Sequence, residues 1–229
     1  RDATLFVWNN LEGSEDLAYR LANNGYKVVL GPVTNFYLDM AHSEDVLEGG
    51  HNWANYTDLD NSFSFNPYAM KGTQNPTKVQ LNNEAKKNIM GVEAMMFSET
   101  MRDPKFIDYM MLPRLYALSY RGWNIPKDDN QDEWSNFVNQ LGKIILPKLS
   151  AQMPDINYRI PPPGLKVENG QVLVNYQLPG FDLRYSVGEK MPNTKSPIVS
   201  GPINAKGKIN VAAFDKNGRK GHISSIENR

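Results

Sequence analysis

Hydrophobic positions in the first thirty residues change period twice. Thr4 to Trp8 is a short apolar run that reads as a strand. Leu17, Ala18, Leu21 and Ala22 then recur at helical spacing behind Ser14, which suits an N-cap with Glu15 and Asp16 in the first turn. Gly25 stops that helix, and Lys27-Val28-Val29-Leu30 reads as a second strand. Strand, helix and strand in this order argue for a parallel sheet. A third strand is expected over Val92 to Phe97, after Gly91. Between Met40 and Met90 no period is sustained, and the mixture of Asn, Asp, Gly, Ser and aromatics reads as a long, ordered connection. Helical patterns follow from about Pro104 to Tyr120 and from about Asp132 to Leu149. The second places Trp134, Phe137, Val138, Leu141, Ile144 and Ile145 on one face, and Pro147 is expected to kink or end it.

After Pro161-Pro162-Pro163-Gly164 the pattern becomes one of short strands. Asn169-Gly170 stands between Leu165-Lys166-Val167 and Val172-Leu173-Val174, the signal of a two-residue hairpin. Lys216-Asn217-Gly218-Arg219 stands in the same way between Ile209 to Phe214 and His222 to Ile226, with a further strand at Leu183 to Val187. The chain is therefore divided near 157 to 163: residues 1–157 are α/β with trailing helices, and 158–229 form a small antiparallel β domain. Three strands with crossover helices cannot close an eight-stranded barrel, which takes on the order of 250 residues. Either the sheet is small and open, or the remaining strands lie outside this sequence. The opening Arg1-Asp2-Ala3, with no methionine and no signal-like segment, reads as a start partway through something longer.

Composition narrows the function classes. Among 229 residues, 25 Lys and Arg balance 25 Asp and Glu, so no basic field exists to hold a nucleic-acid backbone. The absence of cysteine removes disulfides, thiolate metal sites and sulfur nucleophiles. Apolar runs are far shorter than the roughly 20 residues needed to span a bilayer, and the chain reads as soluble. His42, His51 and His222 are too scattered for a metal site and read as isolated surface or loop histidines. Asp58-Leu59-Asp60-Asn61-Ser62 lacks the glycine and distal glutamate of a calcium loop and reads as a turn. Trp123 and Trp134 read as core, the methionines Met95, Met96, Met101, Met110 and Met111 as core fillers, and Arg114 as a structural anchor for a carboxylate. No cofactor is expected.

Candidate chemistry collects at strand ends, where open α/β sheets and barrels place their sites: Trp8-Asn9-Asn10, Tyr37-Leu38-Asp39 and Phe97-Ser98-Glu99. In the last two, an aromatic and a carboxylate stand two apart and share a face when the backbone is extended. Rings that cover the C–H face of a pyranose, beside carboxylates that accept its hydroxyl protons, suit a sugar pocket.

Seven stretches in order carry a resemblance: Phe6-Val7-Trp8-Asn9; Asn24-Gly25-Tyr26-Lys27-Val28-Val29; Phe36-Tyr37-Leu38-Asp39-Met40; Phe63-Ser64-Phe65; Phe97-Ser98-Glu99-Thr100; Tyr109-Met110-Met111-Leu112-Pro113-Arg114; and Tyr158-Arg159-Ile160-Pro161-Pro162-Pro163-Gly164. With them the sequence resembles the C-terminal part of the family-20 glycoside hydrolases, specifically the bacterial chitobiases. The resemblance implies the last βα units of a (β/α)8 TIM barrel over residues 1 to about 125, followed by a small immunoglobulin-like β-sandwich. It also implies a β-N-acetylhexosaminidase that removes terminal N-acetylglucosamine from chitobiose and chitooligosaccharides by substrate-assisted retention. Tyr37 matches the phenol that orients the acetamido group, and Asp39 and Glu99 the carboxylates that take hydroxyls, expected to be O6 and O4. Trp8 matches a wall of the acetamido-methyl pocket, Trp53 the ring under the next sugar, and Phe97 the pocket floor, where most relatives carry tryptophan.

The family's Asp-Glu catalytic pair, set in His-x-Gly-Gly-Asp-Glu, is absent. Asp132-Glu133 follows Asn130-Gln131 and opens a helix, where two acids suit the macrodipole. The chain alone is expected to be inactive and to bind sugar weakly or not at all. Its implied partners are an N-acetylglucosamine-containing oligosaccharide and the missing N-terminal part of the same enzyme, with no nucleic acid and no membrane. The implied location is periplasmic or secreted. The alternative is a non-catalytic carbohydrate-binding protein.

Overall fold

The computed structural model describes residues 2–126 and 131–229, and the chain divides into two compact units, 1–130 and 131–229. Sequence pattern put the change at 157–163, where helix gives way to strand. Compactness puts it at 130, because the helices after Gln131 pack with the strands that follow: Gly142 is so close to the carbonyl of Pro179 that no side chain fits between them.

The first unit is built on three parallel strands, β1 (Thr4–Val7), β2 (Lys27–Leu30) and β3 (Ile89–Val92), in the order β1-β2-β3. β3 ends where the sequence pattern placed its start. Gly91, at φ +156°, lies where the pairing with β2 shifts register between Val28 and Val29, so the ladder reaches only Val92. Residues 93–97 continue alongside through single bonds, with Glu93 N–H donating to Leu30 O at 3.0 Å and Met95 N–H to Phe36 O at 3.0 Å.

Helix α1 (Leu17–Asn23) starts three residues later than Ser14 because both acids of its expected first turn are used elsewhere. Glu15 pairs with Lys78 at 2.7 Å, and Asp16 accepts from Val79 N–H at 2.9 Å and from Arg20. The helix buries Ala18, Tyr19 and Ala22 against Val7, Val28 and Leu30, the core of this unit.

The long connection is ordered. After the short α2 (Val33–Phe36), it holds α3 (Leu59–Phe63) and a 3-10 turn at Asn83–Asn88. Asp58 caps α3 by accepting from Asn61 N–H at 2.7 Å, so the suspected turn is a helix start. Pro113 splits the helix expected over 104–120 into α4 (Pro104–Met111) and α5 (Arg114–Trp123). On α5, Arg114, Ala117 and Arg121 face inward. Trp123 stands two residues past that face and is 90% exposed, not core.

In the second unit, α6 (Gln131–Gln140) runs through a π turn at Leu141–Ile145 into α7 (Leu146–Gln152). The wide turn rotates Ile144 outward, to 61% exposure, and loosens the backbone ladder just before Pro147, so the helix passes the proline. The β region follows its expected pattern: β4 (Gly164–Glu168) pairs with β5 (Gln171–Asn175) around Asn169-Gly170, both at positive φ. β6 (Asp182–Val187), β7 (Gly207–Phe214) and β8 (Ser224–Asn228) form an antiparallel sheet with β7 central. The β7–β8 connection is a longer loop than the two-residue turn expected, closed by Gly218 N–H on Asp215 O and Asp215 N–H on Arg219 O. Val172 from one sheet and Ile209 and Val211 from the other share a single apolar cluster, so the two sheets form layers around one core. No helix among the described residues is long and apolar enough to cross a membrane.

Candidate active site

Parallel strands deliver their C-terminal ends to one edge of the sheet, and there the first unit opens a hollow of about 410 Å³. Two backbone bonds set its frame: Leu38 N–H donates to Met95 O at 2.8 Å, and Met95 N–H to Phe36 O. They hold the segment bearing Tyr37 and Asp39 against the one bearing Phe97 and Glu99. Tyr37, Asp39, Trp53 and Glu99, which come from three segments, line this one hollow together with Trp8 and Phe97.

Tyr37 sits at the centre of the rings. Its centroid is 6.0 Å from Trp8, 6.2 Å from Trp53 in an edge-on arrangement, and 5.4 Å from Phe97. Trp8, Trp53 and Phe97 stay partly exposed toward the hollow while Tyr37 is 4% exposed, which leaves apolar faces available to a ligand. Among the described residues no hydrogen bond to the Tyr37 hydroxyl is formed. Burial pushes this phenol above the ordinary tyrosine range, and the carboxylates of Asp39 and Glu93 push the same way.

Asp39 is 1% exposed, and its Oδ1 has no hydrogen-bond partner among the described residues. Burial raises its carboxyl above the usual aspartate range, and Glu99 adds to the rise. Its own backbone N–H, the His51 ring and the N–H of Phe97 oppose it. A buried acceptor with an unused lone pair at a hollow is suited to a ligand hydroxyl.

The support beneath is a buried arginine. Arg114 donates to the carbonyls of Leu38 at 2.7 Å, Met40 at 2.8 Å, Thr57 at 2.7 Å and Met110 at 3.0 Å. These main-chain oxygens, two of them on either side of Asp39, make the arginine a structural anchor of this segment. Burial also raises the carboxyl of Glu93, whose chain packs where Gly31 leaves no room for a Cβ.

Two wall residues were not foreseen. Met95, read as core filler, lines the hollow, as does His51, read as an isolated loop histidine. His51 is brought in by Gly50, at φ +112°, whose missing side chain lets the loop lie on Asp39 O and Ala41 N. The glycine pair Gly49-Gly50, which ends three residues before Trp53, was the available signal. His42 is buried at 3% exposure, edge-on to Tyr109, and is not a surface residue. Among the described residues no three His, Asp or Glu side chains stand together as a metal site requires. Asp132 and Glu133 open α6 in the second unit.

The model of the glycosyl hydrolase family 20 catalytic domain matches residues 1–126, more than half of the sequence. The chain belongs to glycosyl hydrolase family 20. The chitobiase/beta-hexosaminidase C-terminal domain matches residues 145–223 of this family-20 chain, so its architecture is TIM-barrel α/β followed by a β domain. N,N'-diacetylchitobiase of Vibrio harveyi is 30% identical over 76% of the chain and 23% of its own length, and beta-hexosaminidase of Vibrio vulnificus 29% identical over 96% and 30%. The crystal structure of the family-20 exo beta-N-acetylglucosaminidase of Vibrio harveyi in complex with N-acetylglucosamine superposes with a TM-score of 0.55 at 29% identity, over 69% of this chain and 22% of that one. A mutant Streptomyces plicatus beta-hexosaminidase in complex with its N-acetylglucosamine product gives 0.53 at 25%, over 69% and 29%. The family-20 chain thus spans less than a third of the length of these relatives.

Proposed function

We propose that this chain is the sugar-orienting, C-terminal portion of a β-N-acetylhexosaminidase of the chitobiase type, acting on terminal N-acetylglucosamine of chitobiose and chitooligosaccharides. The observation that carries this reading is the convergence of Tyr37, Asp39, Trp53 and Glu99 on one hollow, with the Oδ1 of Asp39 buried and free to accept.

In the proposed mechanism the substrate's acetamido oxygen attacks the anomeric carbon. Tyr37 donates a hydrogen bond from its phenol O–H to that carbonyl oxygen, which fixes the nucleophile within bonding reach and stabilises the charge spread over the cyclic intermediate. Burial favours this role, because a phenol held above its ordinary range keeps its proton. Asp39 and Glu99 accept sugar hydroxyls, Trp8 walls the acetamido methyl, Phe97 floors the ring with less area than a tryptophan, and Trp53 stacks under the next sugar. The acid that protonates the leaving oxygen and the aspartate that steadies the acetamido nitrogen are supplied by sequence outside this chain. A periplasmic or secreted setting, a part in chitin breakdown, and an immunoglobulin-like assignment for the β domain go with the same reading.

Two measurements test it. The isolated chain leaves a chromogenic β-N-acetylglucosaminide uncleaved, and robust turnover would overturn the division of labour. N-acetylglucosamine binds the chain weakly, with millimolar Kd (about −4 kcal/mol) read from tryptophan fluorescence. Tyr37→Phe and Glu99→Gln each weaken that binding, and unchanged affinity in both variants removes the assignment of the hollow.

A further inference from the structure

Asp39 and Glu99 can only accept hydrogen bonds, whereas every sugar hydroxyl both donates and accepts. A corner made of two carboxylates alone leaves the hydroxyl oxygens without a donor. The structure contains one beside them. The Nε2 of His51 lies 4.0 Å from Glu99 Oε2, too far for a direct bond and close enough for one hydroxyl oxygen to sit within hydrogen-bond reach of both. The same ring acts electrostatically on Asp39.

The position is fixed by main chain. His51 N–H donates to Asp39 O at 2.8 Å, Ala41 N–H donates to His51 O at 2.7 Å, and Gly50 packs with no space for a side chain against Asp39 O and Ala41 N. The imidazole therefore moves with the aspartate it faces. The charged groups around it are Asp39, from the segment after α2, and Glu99, from the segment after β3. On its own loop, Glu48 is engaged by the Tyr109 hydroxyl at 2.7 Å.

We propose that His51 is a positioning and specificity-determining residue of the sugar-hydroxyl corner, donating to a hydroxyl oxygen of the terminal sugar while Asp39 and Glu99 accept. The proposal rests on the reading of the hollow as a sugar site.

The test uses nuclear magnetic resonance on the chain as it stands, where three histidines make the imidazoles separable and His42 and His222 serve as internal references. Glu99→Gln is expected to move the His51 ring signals, because the group 4.0 Å from its Nε2 changes from a carboxylate to an amide. N-acetylglucosamine at tens of millimolar is expected to move the His51 ring signals, and His51→Phe to weaken the sugar by about three- to tenfold, the loss of one hydrogen bond. Unchanged His51 ring signals in Glu99→Gln overturn the pairing. Sugar that perturbs the tryptophan signals equally in the native chain and in His51→Phe overturns the His51 role and leaves the sugar site standing. Sugar that perturbs neither tryptophan nor histidine removes the sugar site and the proposal together.

Discussion

At the scale of single residues, the site sets function against stability. Asp39 is buried with an unpaired oxygen, and its carboxyl is raised above the range it has in the unfolded chain. A group shifted this way favours the protonated fold: its contribution is fully present below the unfolded value of about 4 and is lost as pH rises through the folded one. Asp39→Asn should accordingly stabilise the chain at pH 7 by on the order of 1 kcal/mol in urea denaturation, with the gain fading at acid pH, while weakening sugar binding. Arg114 presents the opposite case, since several main-chain carbonyls depend on it. Arg114→Met should cost about 3 kcal/mol or more, read in the same way, and a loss under 1 kcal/mol would mean those carbonyls find other donors. Tyr37, Asp39 and Glu99 were legible as candidates from their place and spacing at strand ends, and Trp53 from the family resemblance. His51 was not, because its place depends on a loop closing back onto Asp39, a contact with no period in the sequence. Arg114 was legible as an anchor, but its main-chain acceptors were not, since backbone oxygens leave no pattern along the chain.

At the scale of elements, β1, β2 and the β4–β5 hairpin followed directly from period and turn chemistry. The failures share one cause, a local change of phase. The register shift beside Gly91 ends β3 early, the π turn rotates Ile144 out of its stripe, and Pro113 divides a pattern that otherwise reads as one helix. Each breaks the phase of the pattern, by an extra residue in a strand or a changed turn in a helix, which periodicity cannot register until tertiary contacts choose it. The loop before His51 gives a sharper test. A Cβ at Gly50 would stand 2.7 Å from Asp39 O and 2.9 Å from Ala41 N, at a positive φ. Gly50→Ala should therefore cost about 2 kcal/mol or more in thermal or urea unfolding and weaken the sugar as well. Gly13→Ala, equally at positive φ but with open space around it, should lose only about 1 kcal/mol of backbone strain and leave binding intact.

At the scale of the whole molecule, the three-stranded sheet has β1 and β3 as its edges, each a parallel strand with one side unpaired. Phe6 and Met90 on those strands are 60% and 56% exposed. Parallel sheets are ordinarily covered on both faces, and open apolar edges recruit other chains. The chain in solution should self-associate with rising concentration, as measured by analytical ultracentrifugation. Phe6→Lys with Met90→Lys should reduce that association without lowering the melting temperature by more than a few degrees. The fastening of the 50–53 loop has a different implication. Because main-chain bonds rather than side chains tie it to Asp39, the identities of residues 51 and 53 are free to vary while the acidic floor beneath them stays fixed. That rim is an exchangeable cassette, and under the proposed function libraries randomised there should change which glycan is preferred without rebuilding the scaffold.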